Sequence, residues 1–497
     1  MTLYATRQRR WTYATSPRHD AFRRGAELTL IVSGALLLGV AAAVLPLAAA
    51  GAAVALALAA EVWRRPAFGA YLVIGVTPLT AGIDRNTVLP LLRPNEAVVA
   101  LVGCTLFTRW VIDLETIRDV RLRIDAVLGS ILLLAVASSV IPLLWMALRG
   151  EVIASDDVLY ALVIWKYFAV FLLVRSAIRT EQQIWYCLII SVLAAIIVAL
   201  IAILQSLGVG AVISALSHYY VSNGNVDALS NSRGSSTLTL PIAVADLMVF
   251  NLAILVGLWL YVRSRVALIL AGTCIVVAGT LAAAEFSGVL GLAVGVVALL
   301  VVTRSTKLAK LTLPGLIFAM LALWPVIHVR LLGFQSSSGL PVSWTSRLFN
   351  LRNYFWPVLR ESNNYLLGVR PAARVPDPHK ANGFIWIESG YTWLLWAGGI
   401  PLALAFGYFV VTSWRAAWTA ARRGNASHRV AGTATVTALA VTTVLMAFDP
   451  HLTYRGSADA LFSLLALTVI GSRAATAHNP ARLPIPSARF EVSRDNV

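Results

Sequence analysis

Hydrophobic and polar positions in this chain alternate in long blocks. Apolar runs of about 18–25 residues, the length that crosses a bilayer as a helix, are separated by short polar or basic connections. This pattern predicts an all-α polytopic membrane protein with about 14 spans and one large extracytoplasmic loop. The predicted spans are 27–44, 46–63, 67–83, 95–112, 124–147, 157–174, 183–206, 237–262, 266–283, 286–303, 311–328, 391–413, 430–447 and 457–472.

The charges of the connections predict the orientation. Lys and Arg concentrate in short cytoplasmic connections of membrane proteins. With a cytoplasmic N-terminus, the inside connections are 64–65, 113–123, 175–182, 263–265, 304–310 and 414–429, and nearly all are basic. The outside connections are then 84–94, 148–156, 207–236, the turn around Glu285, 329–390 and 448–456. The alternation therefore predicts that both termini are cytoplasmic.

The chain divides into two helical regions flanked by polar tails. Residues 1–26 are polar and basic and lack the apolar core of a signal peptide, so we predict a cytoplasmic tail. Residues 27–328 hold the first eleven predicted helices, with the outside loop 207–236 between two of them. The large loop 329–390 and the helices of 391–472 follow. The Pro-containing tail 473–497 is predicted to be disordered.

Composition supports a membrane protein over a nucleic-acid-binding protein. The chain is 59% hydrophobic and 13% charged, with a mean hydropathy of +0.78, whereas soluble domains are about a quarter charged. The net charge of +17 comes largely from the connections, where it predicts contact with membrane lipids rather than nucleic acid. Cys104, Cys187 and Cys274 lie within apolar spans. We therefore expect no disulfide framework, metal site or cofactor.

The large loop 329–390 concentrates cationic and aromatic side chains. Its members include Arg330, Arg347, Arg352, Arg360, Arg370, Arg374, Trp344, Trp356, Trp386 and Glu388. Translocation tolerates arginine in long outside loops, so a spacer is one explanation. Arginines accompanied by tryptophans and a carboxylate favour a binding surface, and guanidinium groups bind phosphate and carboxylate oxygens well. The loop therefore predicts an anionic, lipid-borne substrate.

Four segments carry a resemblance to a known family. They are SRGSSTL at 232–238, SRLFNLRNYFW at 346–356 followed by LLGV at 366–369, IESGYTWLLWAGGI at 387–400, and LRPNE at 92–96. Their order and placement resemble the O-antigen ligase and polymerase family of bacterial envelope glycosyltransferases, of the class C type. The resemblance implies a polyprenyl-pyrophosphate-linked glycan donor, a glycan acceptor, no metal, and a site on the outer face of the bacterial cytoplasmic (inner) membrane.

The same resemblance assigns the donor-binding arginines. The motif arginines of the family map onto Arg233 and Arg347, which would hold the pyrophosphate bidentately. Alternatively, both side chains snorkel to lipid headgroups. Arg352 offers a second register for the loop motif, because Trp356 follows it by four residues. Both arginines therefore stay candidates.

The third motif departs from the ligase pattern. Where ligases carry a histidine, this chain has Glu388, with Tyr391 three residues later and Gly399 eleven residues later. A second register places His379 in the motif. Glu388 is suited to act as a general base toward an acceptor hydroxyl, and its alternative is an ion partner for a loop arginine. The substitution favours a polymerase over a ligase.

The remaining candidates are contact residues. The substrate-binding set predicted from the sequence is Arg352, His379, Arg93, Arg370, Trp344, Trp386, Tyr391 and Arg455, beside the catalytic set Glu388, Arg347 and Arg233. Tryptophan also forms interfacial belts, and that explanation is favoured for Trp393 and Trp396. Asp449, His451, Tyr454 and Arg455 in the last outside connection are predicted to close over the site.

Two charged residues, Lys166 and Asp246, lie inside apolar spans. Intramembrane charges are functional hypotheses by default. A buried Lys166–Asp246 or Lys166–Glu285 pair that fixes helix packing is one prediction, and a proton relay is the other.

These patterns lead to one preferred function and two alternatives. The preferred function is transfer of a glycan from the polyprenyl pyrophosphate to a hydroxyl of a second lipid-linked glycan, as in an O-antigen polymerase. The first alternative is a ligase that transfers glycan to lipid A core or another acceptor. The second is a lipid-linked oligosaccharide flippase, but such transporters usually show two related halves, and no internal repeat is evident.

Overall fold

The computed structural model describes residues 46–112 apart from 86 and 89–91, 124–220, 233–310 apart from 263–264 and 284–285, 314, 342–377 and 383–477. Two compact units divide at Arg64 and Arg65, and each is described by itself. The predictions for 27–44, 311–328, Glu285, His379, the N-terminal tail and the C-terminal tail after 477 lie outside the described residues. Residues 473–477, predicted as the start of the disordered tail, continue the helix Ser457–Ala477.

The described residues are mostly helical, and a helix overlaps each predicted apolar segment among them. The first unit contributes α1 (Pro46–Arg64). The second contributes α2 (Pro66–Thr80), α3 (Pro94–Ile112), α4 (Ala126–Leu148), α5 (Ser155–Ala161), α6 (Val163–Ala177), α7 (Glu181–Ser206), α8 (Gly210–Tyr219), α9 (Pro241–Tyr261), α10 (Val266–Ala282), α11 (Phe286–Thr303), α12 (Val342–Asn350), α13 (Trp356–Arg360), α14 (Gly390–Arg423), α15 (Ala426–Leu445) and α16 (Ser457–Ala477).

Six stretches of the described chain are long and apolar enough to cross a membrane. They are α3, α4, the continuous stretch Ser155–Ala177 formed by α5 and α6, α7, α9 and α14. Shorter apolar helices lie at Pro66–Thr80, Val266–Ala282, Ser287–Thr303 and Ser457–Ile470. Their length and composition confirm a helical membrane protein in outline.

The helices begin where the sequence supplies caps. Asp125 accepts a hydrogen bond from the Leu128 N–H at 2.9 Å to start α4, and Thr180 forms a capping box with Gln183 to start α7. The Ser389 hydroxyl accepts from the Thr392 N–H to start α14. Such caps satisfy backbone donors that have no partner within the helix.

The core is formed where α14 packs on α4 and α15, and where α9 packs on α15 and α10. Aromatic rings join α6, α14 and α16: Phe462 stacks on Tyr167 at 5.3 Å and on Phe409 at 5.5 Å between ring centroids. These three rings are almost fully buried. They fix the helices that end beside the candidate site.

The predicted outside loop 329–390 is folded in the part that the structure describes. After α12 come a π-helical turn (Leu351–Phe355), α13, a 3-10 turn (Glu361–Asn363) and a hairpin of β1 (Arg374–Pro376) and β2 (Phe384–Trp386). The strands pair antiparallel, with Arg374 opposite Trp386. This hairpin is the one departure from the all-α prediction within the described residues.

A break inside α14 seats this folded loop. Gly399 has φ +65°, and the Ile400 N–H donates to the Tyr365 carbonyl at 3.0 Å instead of continuing the helix. The Val369 N–H donates in turn to the Trp396 carbonyl at 2.7 Å. A Cβ on Gly399 would lie 2.4 Å from the Leu366 carbonyl oxygen. The close approach of two backbones therefore requires glycine here.

We expect Gly399→Ala to lower the free energy of unfolding by about 1–3 kcal/mol or more, because alanine resists this conformation and meets the Leu366 backbone. The matched control is Gly407→Ala in the same helix, where a Cβ meets nothing within 4 Å. That change is expected to be neutral or to stabilise by about 0.5–1 kcal/mol. Denaturation of the purified chain in micelles measures both, and equal effects would contradict the assigned role of Gly399.

Several predicted outside connections contact one another within the second unit. Asp84 of 84–94 lies 3.9 Å from Arg455 of 448–456, and Arg149 of 148–156 donates to Asn364 of the large loop at 2.6 Å. Among the predicted inside connections, Arg175 binds Asp125 at 2.5 Å beside 113–123. Segments predicted to share a side therefore contact one another.

Candidate functional site

Arg347 is the centre of the first site. It lies in the last turn of α12, and its Nη1 lies 3.0 Å from Asp449 Oδ2. Its Nε lies 4.0 Å from Glu388 Oε1. A segment before the hairpin, the start of α14 and the connection between α15 and α16 thus bring three charged side chains together. We call Arg347, Glu388, Asp449 and Tyr454 the Arg347 site.

Glu388 is held loosely at the edge of this site. It precedes the capping Ser389, so its carboxylate lies next to the N-terminus of α14, where negative charge is favourable. Its side chain is 36% exposed. The contact to Arg347 is at the limit of an ion pair, so Glu388 keeps oxygen atoms exposed at the protein surface. Both roles predicted for Glu388, general base and ion partner of an arginine, are compatible with this position.

Asp449 holds Arg347 from the buried side. Its side chain is 7% exposed, and the Tyr454 hydroxyl donates a hydrogen bond to its carboxylate. Burial raises the pKa of Tyr454 well above its usual value, and the charges of Asp449 and Asp246 raise it further. Tyr454 therefore remains a neutral donor. The sequence named Asp449 only as part of a closing connection and did not identify it as the partner of Arg347.

The start of α14 is fastened to the connection that carries Asp449. The Tyr391 N–H donates to the Met446 carbonyl at 3.2 Å, and the Tyr391 hydroxyl donates to the Thr443 carbonyl at 2.8 Å. A Cβ on Gly390 would lie 2.9 Å from the Asp449 carbonyl oxygen. The Tyr391 hydroxyl thus fixes α14 against α15, and the prediction that Tyr391 binds substrate stays a prediction.

Two buried pairs support the same connection from below. His451 Nδ1 lies 2.7 Å from Asp246 Oδ2, and both side chains are nearly inaccessible. Lys166 Nζ lies 2.8 Å from Asp459 Oδ2, which also accepts from the Gly456 N–H at 2.9 Å. The predicted Lys166–Asp246 pair is therefore wrong. Each charge has a different partner, because α6 packs on α16 while α9 lies beneath His451.

Other loop arginines anchor the fold. Arg370 Nη2 lies 3.2 Å from Asp157, which is 1% exposed, and Arg374 pairs with Asp156. The Arg374 guanidinium also lies over the ring of Phe384, 3.8 Å from its centroid. Burial lowers the pKa of Arg374. Arg370, predicted to bind substrate, thus has an acidic partner that fastens the loop to α5.

The other candidates lie in varied surroundings. Arg352 is exposed on the π-helical turn, and Trp344 lies 5.2 Å from Phe448 between ring centroids. Arg233 precedes the 3-10 turn Ser236–Leu238 and accepts at its carbonyl from the Ser235 N–H. The residue predicted as the second register of the motif, His379, is outside the described residues.

The tryptophans of α14 are buried rather than interfacial. Trp393 is 6% and Trp396 is 2% exposed, and Trp396 Nε1 donates to the Ala372 carbonyl at 3.1 Å. The belt interpretation for these two residues is wrong, because the folded loop covers this part of the helix. Trp386 lies on β2, 6.0 Å from Tyr160 between ring centroids, at the side of the loop that faces α5.

A second group of charges lies at the start of α3. Arg93 reaches both Asp84, at 3.3 Å, and Glu96, at 3.4 Å. Arg85 binds Glu96 at 2.9 Å, and Arg455 approaches Asp84 at 3.9 Å. We call these five residues the Arg455 cluster. The sequence predicted Arg93 and Arg455 as separate contacts, and Arg85 was not singled out.

Within the described residues, no group of three or more His, Cys, Asp or Glu side chains is placed to hold a metal ion. The two sites are therefore built from arginines, carboxylates and aromatic rings. No protein-family model matches the chain, and no curated protein matches it.

Proposed function

We propose that this chain is a membrane glycosyltransferase that takes a glycan from a polyprenyl-pyrophosphate donor and transfers it to a sugar hydroxyl of a second lipid-linked glycan. The observation that carries the proposal is the Arg347 site, where a guanidinium held by buried Asp449 lies 4.0 Å from the half-exposed Glu388. The site combines a fixed cation for phosphate with a carboxylate open to the outside. The resemblance to the O-antigen ligase and polymerase family supports the same reaction.

The proposed reaction uses the two side chains separately. Glu388 takes the proton of the acceptor hydroxyl while the oxygen of that hydroxyl forms a bond to the anomeric carbon of the donor. The bond from that carbon to the pyrophosphate oxygen breaks, and the electron pair leaves with the lipid pyrophosphate. Arg347 stabilises the charge that develops there, because a fixed cation needs no reorganisation during the reaction.

The membrane arrangement is part of the proposal. About 14 spans would place the folded loop and the connection 448–456 on the outer face of a bacterial cytoplasmic membrane, with both termini inside. The mutual contacts of the predicted outside connections support their placement on one common face of the membrane. Arg233 is proposed as a second donor-binding arginine.

Purified protein in detergent tests the reaction directly. Incubation with a lipid-linked oligosaccharide as the only substrate, without nucleotide sugar, is expected to give longer glycans on the same lipid. Transfer restricted to a lipid A-type acceptor would replace the polymerase by a ligase. No transfer to either acceptor would contradict the proposed function.

We expect Glu388→Gln to lower the rate constant of transfer by about 10²–10⁴-fold, since the amide is not a base, with little change in protein stability. The control is Glu361→Gln in the 3-10 turn of the same loop, an exposed carboxylate for which full activity is expected. Glycan chain lengths on gels, with rates from single-turnover assays, measure both variants. A normal rate constant of transfer in Glu388→Gln would contradict the role of Glu388 as a base and leave its role as an ion partner.

A further inference from the structure

The Arg455 cluster contains more positive than negative charge. Its three guanidinium groups meet two carboxylates, Asp84 and Glu96. Glu96 is bound by both Arg85 and Arg93, so Asp84 alone is left to approach Arg455. One positive charge is thus uncompensated among the residues that the structure describes.

Arg455 carries the least compensated of these charges. Its only ion contact within the described chain is the 3.9 Å approach to Asp84, and 37% of its side chain is exposed. Burial lowers the pKa of Arg455, and the nearby charge of Arg93 lowers it further. Two guanidinium groups that repel each other this way form a site that a shared anion stabilises.

Arg93 provides a second sign of an unfilled contact. Its side chain is 12% exposed, and its Nε is buried without a hydrogen-bond partner within the described part of the chain. Buried donors are usually paired. Arg93 therefore brings a donor, and Arg455 brings an open guanidinium, to the same place.

The cluster differs from the Arg347 site in its chemistry. Both of its carboxylates are engaged by arginines, so it offers no free base, whereas the Arg347 site has the half-exposed Glu388. The two sites share the connection between α15 and α16, which carries Asp449 in one and Arg455 in the other. A ligand held at the cluster would therefore be bound but not activated.

Aromatic side chains link the cluster to the reactive carboxylate. The ring of Tyr160 lies 6.0 Å from that of Trp386, and Tyr160 is near enough to Arg455 for an electrostatic effect on its pKa. Trp386 precedes Glu388 by two residues at the end of β2. Two aromatic rings therefore lie between the surroundings of Arg455 and the strand that precedes Glu388.

We infer that the Arg455 cluster is a second anion site, which binds the pyrophosphate headgroup of the lipid-linked acceptor while the Arg347 site binds the donor. The identity of the ligand rests on the proposed function, but the existence of a second anion site does not. Two separate headgroup sites let both lipid-linked substrates bind together with their glycans meeting at Glu388.

Binding of farnesyl pyrophosphate, a short polyprenyl pyrophosphate, to the purified full chain in detergent tests the inference by calorimetry. The wild type is expected to bind two equivalents. Arg455→Gln is expected to weaken one site about tenfold or more, because hydrogen bonds between charged groups are strong, and Arg455→Lys is expected to restore part of the loss. Arg347→Gln weakens the other site. Exposed Arg360→Gln is the matched control and retains both.

Two results would overturn the inference, and a competition experiment would support it. Unchanged stoichiometry and affinity in Arg455→Gln would reduce the cluster to a structural ion network. If Arg455→Gln no longer retained bound phosphatidylglycerol but bound farnesyl pyrophosphate normally, the cluster would be an anchor for phospholipid headgroups. Inorganic pyrophosphate competing at the site that Arg455→Gln weakens would support a pyrophosphate site.

Activity separates this inference from the proposed function. If the wild type transfers glycan, Arg455→Gln is expected to raise the KM for acceptor with little change in kcat. An unchanged acceptor KM would reject the cluster as the acceptor site while the function stands. Two binding equivalents without any glycan transfer would reject the function while the second site stands.

Discussion

Replacing Arg347 with alanine is expected to lower glycan transfer by at least about 100-fold, the usual effect of removing one electrostatic group that stabilises a transition state. The guanidinium is 3.0 Å from Asp449 and 4.0 Å from Glu388, so its loss removes the fixed cation beside the proposed base. Arg347→Lys keeps the charge but not the planar fork and is expected to retain partial activity. Single-turnover transfer assays and glycan profiles of a cell that depends on the protein measure both variants.

The variant also leaves Asp449 without its cation, so folding is checked by unfolding in micelles. Arg352→Ala is the informative comparison, because Arg352 is the rival motif residue and is exposed. Exposed Arg360→Ala is expected to behave like the wild type. Normal chain lengths in Arg347→Ala together with their loss in Arg352→Ala would transfer the proposed role to Arg352.

Lys166→Met is expected to lower the free energy of unfolding by about 3–5 kcal/mol, the usual cost of removing one partner of a buried ion pair. Asp459, 3% exposed, would keep its bond from the Gly456 N–H but no cation among the described residues. The double variant Lys166→Met with Asp459→Leu is expected to be more stable than Lys166→Met, because no charge then stays buried alone. Denaturation in mixed micelles measures the free energy of unfolding of the wild type and of both variants.

A partly exposed pair provides the matched control. Arg149 and Glu151 lie 3.1 Å apart, with Glu151 40% exposed, and exposed pairs contribute about 0–1 kcal/mol. Glu151→Gln is therefore expected to change stability little. If Lys166→Met had an effect as small as Glu151→Gln, the buried pair between α6 and α16 would not be a major support of the fold.

Much of the helical framework follows from local sequence. The length of an apolar run and the residue that caps it decide where a helix such as α7 begins and ends, because both act within a few turns. The break in α14 was harder to predict from the sequence. The Gly398–Gly399 pair is visible in the sequence, but the positive φ at Gly399 depends on the Leu366 backbone that lies against it.

The candidate site was only partly predictable, for the same reason. Arg347 and Glu388 were named from their motifs, and they lie within ion-pair distance. Arg370 and Tyr391 were named as well, yet Arg370 pairs with Asp157 and the Tyr391 hydroxyl binds the Thr443 carbonyl. Residue type predicts which side chains bind anions or sugars, but not whether the protein itself occupies them.

The sequence alone determined that this chain is a helical membrane protein whose segment between the later apolar helices is basic and aromatic, since hydropathy and charge are properties of neighbouring residues. Tertiary structure alone decided the partners. Lys166 and Asp459 are 293 positions apart, and Asp246 and His451 are 205 apart. Pairing over such separations depends on which helices pack together, and a buried charge takes the partner that packing brings within reach.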